Sequence, residues 1–225
     1  MINQHHSVHH HPDDELLVSY AAGDLAEAWS LLVATHTTLC PVCRSKVRAA
    51  EAVGGALMEE IAPVAMSDDA LALALARVER PEAQMVNSVS ATLPSGDTPV
   101  LPQPLRGYAR SDLDGLNWRW LGKGALHIPL VTGRDAPTAR LLRIPAGRPV
   151  PEHGHNGMEL TMVLCGAFRD EDTLFARGDV ESVDSSVAHQ PIAEPGEDCI
   201  CLAVTDAPLR FNSVMARMVQ PFIGI

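Results

Sequence analysis

The chain has 225 residues, with 17 Lys and Arg against 28 Asp and Glu, and a formal net charge of −11 at pH 7. Nucleic-acid binding depends on clustered positive charge, so this balance argues against a direct nucleic-acid partner and suits a basic protein partner. Apolar residues make up 46% and charged residues 20%, which excludes a disordered chain, and no apolar run is long enough to predict a membrane span. The polar, His-rich start has no apolar signal segment, so we expect a cytoplasmic protein without a membrane partner. Five cysteines in that compartment favour metal or redox chemistry over disulfides.

Four helices are predicted at the start of the chain, over residues 13–22, 25–39, 42–60 and 68–80. Acidic residues after Pro12 favour the first start and Gly23 favours its end. Pro41 is tolerated in the first turn of a helix, so we expect a break between the second and third helices there. These residues predict a small all-α module of about 80 residues, a size at which a structural metal is a useful source of stability.

The most informative motif of this module is H-x3-C-x2-C, formed by His36, Cys40 and Cys43. On a helical backbone, residues three and four apart lie on one face, so the three side chains can point at one ion. Zinc takes thiolate and imidazole ligands in a tetrahedral shell, which leaves one position for a residue from elsewhere in the chain. A redox Cys-Pro-Val-Cys pair or two buried thiols are the alternatives, but no βαβ pattern surrounds the motif to support a thioredoxin-like site.

The fourth ligand is expected from the His-rich N-terminus. The candidates there are His5, His6, His9, His10 and His11. His11 is the choice favoured by the sequence, because it lies just before the first predicted helix and can reach the motif if that helix packs on the second. His5, His6 and His9 can equally belong to a solvated, tag-like tail.

Residues 81–110 are rich in Pro, Ser, Thr and Gly and have no sustained apolar period. This composition is typical of an extended connector. It predicts a helical domain at 1–85, a linker at 86–110 and a second domain at 111–225.

The second domain has short apolar runs separated by Gly, Pro and Asp. Strands are predicted at 118–121, 125–131, 139–144, 158–164, 180–183, 199–204 and 209–213. Regular short strands with turn residues between them indicate an all-β sandwich or barrel.

A second metal motif lies within this β pattern. His153 and His155 are two residues apart and so share one face of a strand, and Glu159 begins the next strand. His189 lies between two later strands and is the natural fourth ligand. Three imidazoles and a carboxylate suit Zn, Fe, Mn, Ni or Cu, and residue types alone do not choose among them. Any one of these histidines can instead be a hydrogen-bonded core residue.

The pattern G-x5-H-x-H-x3-E-x6-G that runs from Gly147 to Gly166 resembles the first metal-binding motif of the cupin superfamily at each signature position. The second cupin motif is degenerate: Gly178 and His189 fit, but Asp184, Ser185 and Ser186 replace its usual turn. The resemblance implies an all-β cupin (jelly-roll) barrel, and the departure in the second motif makes a catalytic cupin less expected.

Nearly the whole chain resembles the ChrR family of zinc-binding anti-sigma factors. The residues that carry the resemblance, besides both metal motifs, are at 20–23, 33–36, 53–60, 198–202, 207–213 and 220–222. The resemblance implies zinc ligands at His11, His36, Cys40 and Cys43 and an extracytoplasmic-function sigma factor as the partner. It also implies a cupin zinc site, at His153, His155, Glu159 and His189, needed for release under singlet oxygen or organic peroxide stress.

We therefore expect a two-zinc anti-sigma factor without catalysis. The residues expected to contact the sigma factor are Val53, Leu57, Met58, Leu71, Leu73, Leu75 and Val78, which can alternatively form the core of the helical module. Cys165, Cys199 and Cys201 are candidates for oxidation near the cupin metal, with inert core thiols as the alternative. The rival functions are a metal-dependent cupin dioxygenase or hydrolase with a helical appendage, and a metal-storage or metal-sensing protein.

Overall fold

The computed structural model of the chain describes residues 7–79, 100–122, 124–131 and 137–211. Within these ranges, five helices precede the strands. They are α1 (Asp14–Ala22), α2 (Glu27–Leu39), α3 (Pro41–Glu59), α4 (Ala70–Glu79) and α5 (Gln103–Ala109), followed by a 3-10 turn at Leu113–Gly115. The predicted class, an all-α part followed by an all-β domain, is confirmed.

The β domain contains twelve described strands. They are β1 (Arg119–Gly122), β2 (Ala125–Val131), β3 (Thr138–Ile144), β4 (His153–Gly154), β5 (Glu159–Cys165), β6 (Ala167–Asp170), β7 (Thr173–Ala176), β8 (Val180–Val183), β9 (Ala188–His189), β10 (Ile192–Ala193), β11 (Cys199–Thr205) and β12 (Arg210–Phe211). A six-stranded sheet has the order β1-β2-β3-β11-β5-β8, and two three-stranded sheets have the orders β10-β6-β7 and β12-β4-β9. The long predicted strands are present, whereas the short strands β4, β6, β7, β9 and β10 were missed because two to four residues carry too little alternation.

The helix boundaries follow from local chemistry. Gly23 ends α1 with a left-handed backbone (φ 75°), and its N–H bonds to the carbonyls of Ser19 and Tyr20. Pro41 opens α3, as expected, so the chain breaks at Cys40. The predicted start of α2 is two residues early, because the N–H of Asp24 closes the end of α1 by bonding to Ser19.

The central strands β5 and β11 are buried on both faces. One face of β11 (Cys199 and Cys201) packs in a core with Phe168 and Phe175 of the small β10-β6-β7 sheet. The opposite face packs against helices α2 and α5. The side chains of this second core include Trp29, Leu31, Leu32, Leu101 and Leu105 from the helical side and Leu141, Leu160, Met162, Leu164, Leu202 and Val204 from the sheet. The helices therefore cover the outer face of the large sheet.

The described part of the expected linker, residues 100–110, is not an extended connector. Residues 103–109 form α5, and Leu101 and Leu105 are fully buried in the core shared with the sheet. The apolar anchors Leu101 and Leu105 pack there despite Pro102 and Pro104, which occupy the start of α5, where proline is tolerated. The rest of the expected linker, 86–99, and the expected strand residues beyond 211 lie outside the described residues.

No single described helix is long and apolar enough to cross a membrane; α1 and α2 pass that test only together, as a pair bent by 108°.

Candidate metal centres

The break between α2 and α3 brings three of the expected zinc ligands together. His36 lies in the last turn of α2, Cys40 lies at the break, and Cys43 lies in the first turn of α3. The sulfur of Cys40 accepts a hydrogen bond from the backbone N–H of Cys43 at 3.4 Å. All three side chains are buried in a small core with Leu17, Val33 and Val47, so the helical module is organised around them.

His11 completes this group. Its Nδ1 lies 3.5 Å from Sγ of Cys40 and 3.4 Å from Sγ of Cys43. With metal–sulfur and metal–nitrogen distances of about 2.3 and 2.0–2.1 Å, the sulfur–nitrogen edge of a tetrahedral zinc site is about 3.6 Å. One ligand atom from each of His11, His36, Cys40 and Cys43 lies within 4.8 Å of all the others, so the four residues fit a zinc ion.

The two imidazoles use different nitrogens. Nδ1 of His36 donates to the carbonyl of Gly178 at 2.9 Å, and its buried Nε2 has no hydrogen-bond partner among the described residues, which leaves Nε2 as the ligand atom. His11 presents Nδ1. Burial lowers the pKa of His36 to about 4, so the ring is neutral at pH 7 and able to bind a metal.

The thiols also fit a cation. Burial and the adjacent Cys40 raise the pKa of the Cys43 thiol to about 12. Two neighbouring thiolates in a buried site therefore require a positive ion between them. Among the other candidate histidines, His9 and His10 lie outside the four-residue group, and His5 and His6 lie outside the described residues.

The second candidate centre lies where β4 and β9 pair in register, with His153 opposite His189. His155 follows β4. Its Nε2 lies 3.1 Å from Nε2 of His189, which in turn lies 3.3 Å from Nε2 of His153. These distances match the nitrogen–nitrogen edges, about 3.3 Å, of a tetrahedral zinc site.

Hydrogen bonds fix the orientation of two of these rings. Nδ1 of His153 donates to the carbonyl of Pro151 at 2.8 Å, and Nδ1 of His189 donates to Asp170 at 2.7 Å. Their Nε2 lone pairs therefore point into the same space, where they repel one another unless a cation lies between them. Burial lowers the pKa of His153 and of His155 to about 4, which keeps both rings neutral. The three imidazoles thus fit a metal ion.

Glu159, the expected carboxylate ligand, lies beside this group. Its Oε2 is 3.6 Å from Nδ1 of His155, and its Oε1 accepts a hydrogen bond from the hydroxyl of Thr161 at 3.0 Å. The set of ligand atoms that lie within 4.8 Å of one another contains the three histidines without Glu159. Burial raises the pKa of this carboxyl, and a cation at the three imidazoles would favour its ionised form.

Asp170 and Glu181 were missed by the sequence analysis. Asp170 on β6 accepts a hydrogen bond from the outer nitrogen of His189, and an oxygen of the buried Glu181 on β8 lies 4.0 Å from the same nitrogen. Burial, followed by the negative charge of Asp170, raises the pKa of Glu181 to about 9, so Glu181 is neutral at pH 7. No sequence signal marked them, because Asp170 lies between Arg169 and Glu171 on a strand that was not predicted, and Glu181 lies beside Val180 and Ser182 like any acid on a strand.

The three cysteines of the β domain are not part of either group of candidate ligands. Sγ atoms of Cys199 and Cys201 lie 3.4 Å apart on one face of β11, and both side chains are buried. Cys165, at the end of β5, lies 3.5 Å from the carboxylate of Glu197. All three are free thiols.

Comparison with known proteins agrees with this architecture. Residues 108–208 match the family described as the ChrR cupin-like domain. The anti-sigma-E factor ChrR of Cereibacter sphaeroides is 51% identical over 219 residues, which cover 97% of this chain and 100% of the relative. In the crystal structure of Rhodobacter sphaeroides SigE in complex with the anti-sigma ChrR, the similar chain is 48% identical with a TM-score of 0.75, covering 88% of this chain and 99% of that one.

Proposed function

The chain belongs to the ChrR family of anti-sigma factors, and on that premise we propose that it binds an extracytoplasmic-function RNA polymerase sigma factor and withholds it from the core enzyme. The relative of known structure forms a complex with SigE. Anti-sigma factors are regulators, so family membership decides against the enzymatic alternative. The negative net charge of this chain suits the basic surface that a transcription factor uses for DNA and polymerase contacts.

The apolar surface on the second half of α3 and on α4 carries the proposal. Its side chains are between 53% and 82% exposed and comprise Val53, Leu57, Met58, Leu71, Leu73, Leu75 and Val78. Leu71, Leu75 and Val78 share one face of α4 while Leu73 lies on another, so α4 is apolar on more than one side. A helix of this kind is stable when a partner covers it, and a large exposed apolar patch marks a protein-binding site.

The first metal site holds the helix α3, which carries part of this surface, in place. Two thiolates cancel the charge of Zn²⁺ and two neutral imidazoles complete a closed shell, the arrangement of structural zinc. The four ligands, His11, His36, Cys40 and Cys43, join the segment before α1 to α2 and α3. We assign the ion as zinc because of the two sulfur ligands.

The β domain is the sensor in this proposal, and its metal is held by His153, His155 and His189, with Glu159 available as the fourth ligand. We propose zinc here too, and release of the sigma factor under singlet oxygen or organic peroxide stress. Moving a partner from about 99% bound to 99% free requires about 5.5 kcal/mol. Loss of the metal, covalent oxidation of the domain or proteolysis supplies such a change, whereas one altered contact rarely does.

The proposal is tested with the full chain and SigE of Rhodobacter sphaeroides as the probe. We expect a stoichiometric complex in size-exclusion chromatography and loss of SigE binding to core RNA polymerase when the chain is added. Parallel trials use the extracytoplasmic-function sigma factors of the source organism. Failure to form a complex with any of them would refute the anti-sigma function.

A further inference from the structure

The β domain reaches into the first metal site. The turn that precedes β8 contains Gly178, and the carbonyl of this residue accepts the 2.9 Å hydrogen bond from Nδ1 of His36. Because Nδ1 makes this hydrogen bond, Nε2 of His36 is left to face the two thiols. Outer hydrogen bonds of this kind fix the tautomer and orientation of a metal-binding imidazole.

The next residue of the same turn holds the other imidazole ligand. Oδ1 of Asp179 accepts hydrogen bonds from the backbone N–H groups of His9 at 2.7 Å and His10 at 3.0 Å. The carbonyl of His10 accepts a hydrogen bond from the N–H of Val180 at 3.1 Å. The chain just before His11 is therefore bound along the start of β8, which fixes where His11 enters the site.

Close packing supports these hydrogen bonds. Gly178 has a φ of +95°, and a Cβ at this position would lie 2.6 Å from Cγ2 of Val8. Asp179 is 1% exposed, and its Oδ2 accepts a further hydrogen bond from the N–H of Ala176. The ring of His10 lies 4.6 Å from that of Phe175, measured between centroids. The turn and the N-terminal segment thus fit each other as parts of one interior.

We propose that the turn Gly178–Asp179 of the cupin domain is the outer shell of the helical module's zinc site and positions both of its imidazole ligands. The two thiolates come from the helices alone, whereas each imidazole depends on a contact with a residue more than 140 positions later in the chain. The zinc site is thereby sensitive to the docking of the cupin domain. This inference rests on the proposed zinc site and adds a way in which that site is regulated.

The test measures metal affinity at the first site alone, in the full chain carrying His153→Ala to disable the second site. Asp179→Ala removes the acceptor of the His9 and His10 N–H groups, and Gly178→Ala displaces Val8. We expect each to weaken zinc binding about 10- to 100-fold in a chelator competition, the range found when outer-shell partners are removed. We also expect both to alter the visible absorption of Co²⁺ bound in place of zinc. Asp179→Asn should recover part of the affinity, because its single acceptor oxygen can replace Oδ1 but its amide NH2 cannot replace Oδ2.

Asp112→Ala is the matched control. Asp112 likewise accepts hydrogen bonds from two consecutive backbone N–H groups, those of Val100 and Leu101, but contacts no candidate ligand. It should leave zinc affinity and the Co²⁺ spectrum unchanged even if it lowers stability. If Asp179→Ala and Gly178→Ala both bind zinc with the affinity of the parent chain and give its Co²⁺ spectrum, the positioning role is wrong. A parent chain without metal at His11, His36, Cys40 and Cys43 would instead overturn the proposed zinc site, and this inference with it.

Discussion

Oδ2 of Asp170 lies 2.7 Å from Nδ1 of His189, so a carboxylate on β6 orients a candidate metal ligand on β9. The carboxylate also makes the imidazole a stronger ligand by accepting a hydrogen bond from its Nδ1–H group. We expect Asp170→Asn to weaken metal binding at the second site about 10- to 100-fold, because the charge is lost while the size is kept. Metal content after dialysis against chelators of increasing strength checks this result.

The exposed Asp172 lies in the turn after β6, and Asp172→Asn is the matched control, expected to retain metal like the parent. Equal metal retention by Asp170→Asn and the parent chain would show that the negative charge of Asp170 is not needed to hold the ion.

The proposed first zinc site should stabilise the helical module. Cys40→Ser removes a thiolate from a core in which Cys40 and Cys43 are almost completely buried, so we expect the loss of one zinc equivalent and a fall in helix content. Elemental analysis and far-UV circular dichroism measure the two effects. Cys165→Ser changes a thiol outside both ligand groups and should retain both metals; a Cys40→Ser chain with full zinc content would remove Cys40 from the ligand set.

The apolar surface of α4 should determine sigma-factor binding. Leu75→Glu places a charge where a partner would cover the side chain, so we expect at least a 100-fold loss of affinity for SigE, while stability changes by less than about 0.5 kcal/mol. Titration calorimetry and thermal unfolding provide the two readouts. Trp120→Glu alters an exposed apolar side chain on strand β1 instead and should bind like the parent. If the two variants bind equally well, α4 is not the contact surface.

The core shared by the helices and the large sheet should make them unfold together. Leu32 is fully buried between α2 and the sheet, so Leu32→Ala should destabilise the chain by about 2–5 kcal/mol. Far-UV circular dichroism and near-UV tryptophan signals should shift to the same lower midpoint. The exposed Val53→Ala serves as the control with little effect. Separate transitions for helix and sheet signals would contradict a shared core.

Without metal, the chain should lose stability on acidification. The folded state keeps His36 neutral down to a pKa of about 4, whereas the unfolded chain takes up the proton near pH 6.5. The contribution of His36 to the free energy of unfolding is thus fully present above pH 6.5. It falls by roughly 3 kcal/mol as the pH drops towards 4. Urea unfolding of chelator-treated protein from pH 7.5 to 4.5 measures this slope. His36→Gln should reduce it, and an unchanged slope in that variant would assign the effect to other groups.

Local patterns predicted much of this molecule. Gly23 and Pro41 placed helix boundaries because their backbone restrictions act within one turn. The spacing of His36, Cys40 and Cys43 predicted a cluster because it depends only on helix geometry. Strand geometry, in which residues two apart share a face, grouped His153 and His155 in the same way.

Contacts between distant segments were not predictable in this way. No local signal shows that the carbonyl of Gly178 faces His36, since every residue has a carbonyl and the contact depends on how two parts of the chain dock. Asp170 lay outside the predicted strands and Glu181 looked like an ordinary strand acid, because the burial of both depends on which sheet covers them. Leu101 and Leu105 were assigned to a connector for the same reason: prolines dominated the local composition, whereas packing on the sheet decided the structure.

The bond between His36 and Gly178 also sets an order of events during synthesis. A ribosome that has completed α3 has already synthesised all four candidate ligands of the first site. The carbonyl that orients one imidazole and the carboxylate that holds the segment before the other do not yet exist. The site acquires its final geometry only after residue 179 has emerged and the sheet has formed, so the anti-sigma module matures late although it is made first.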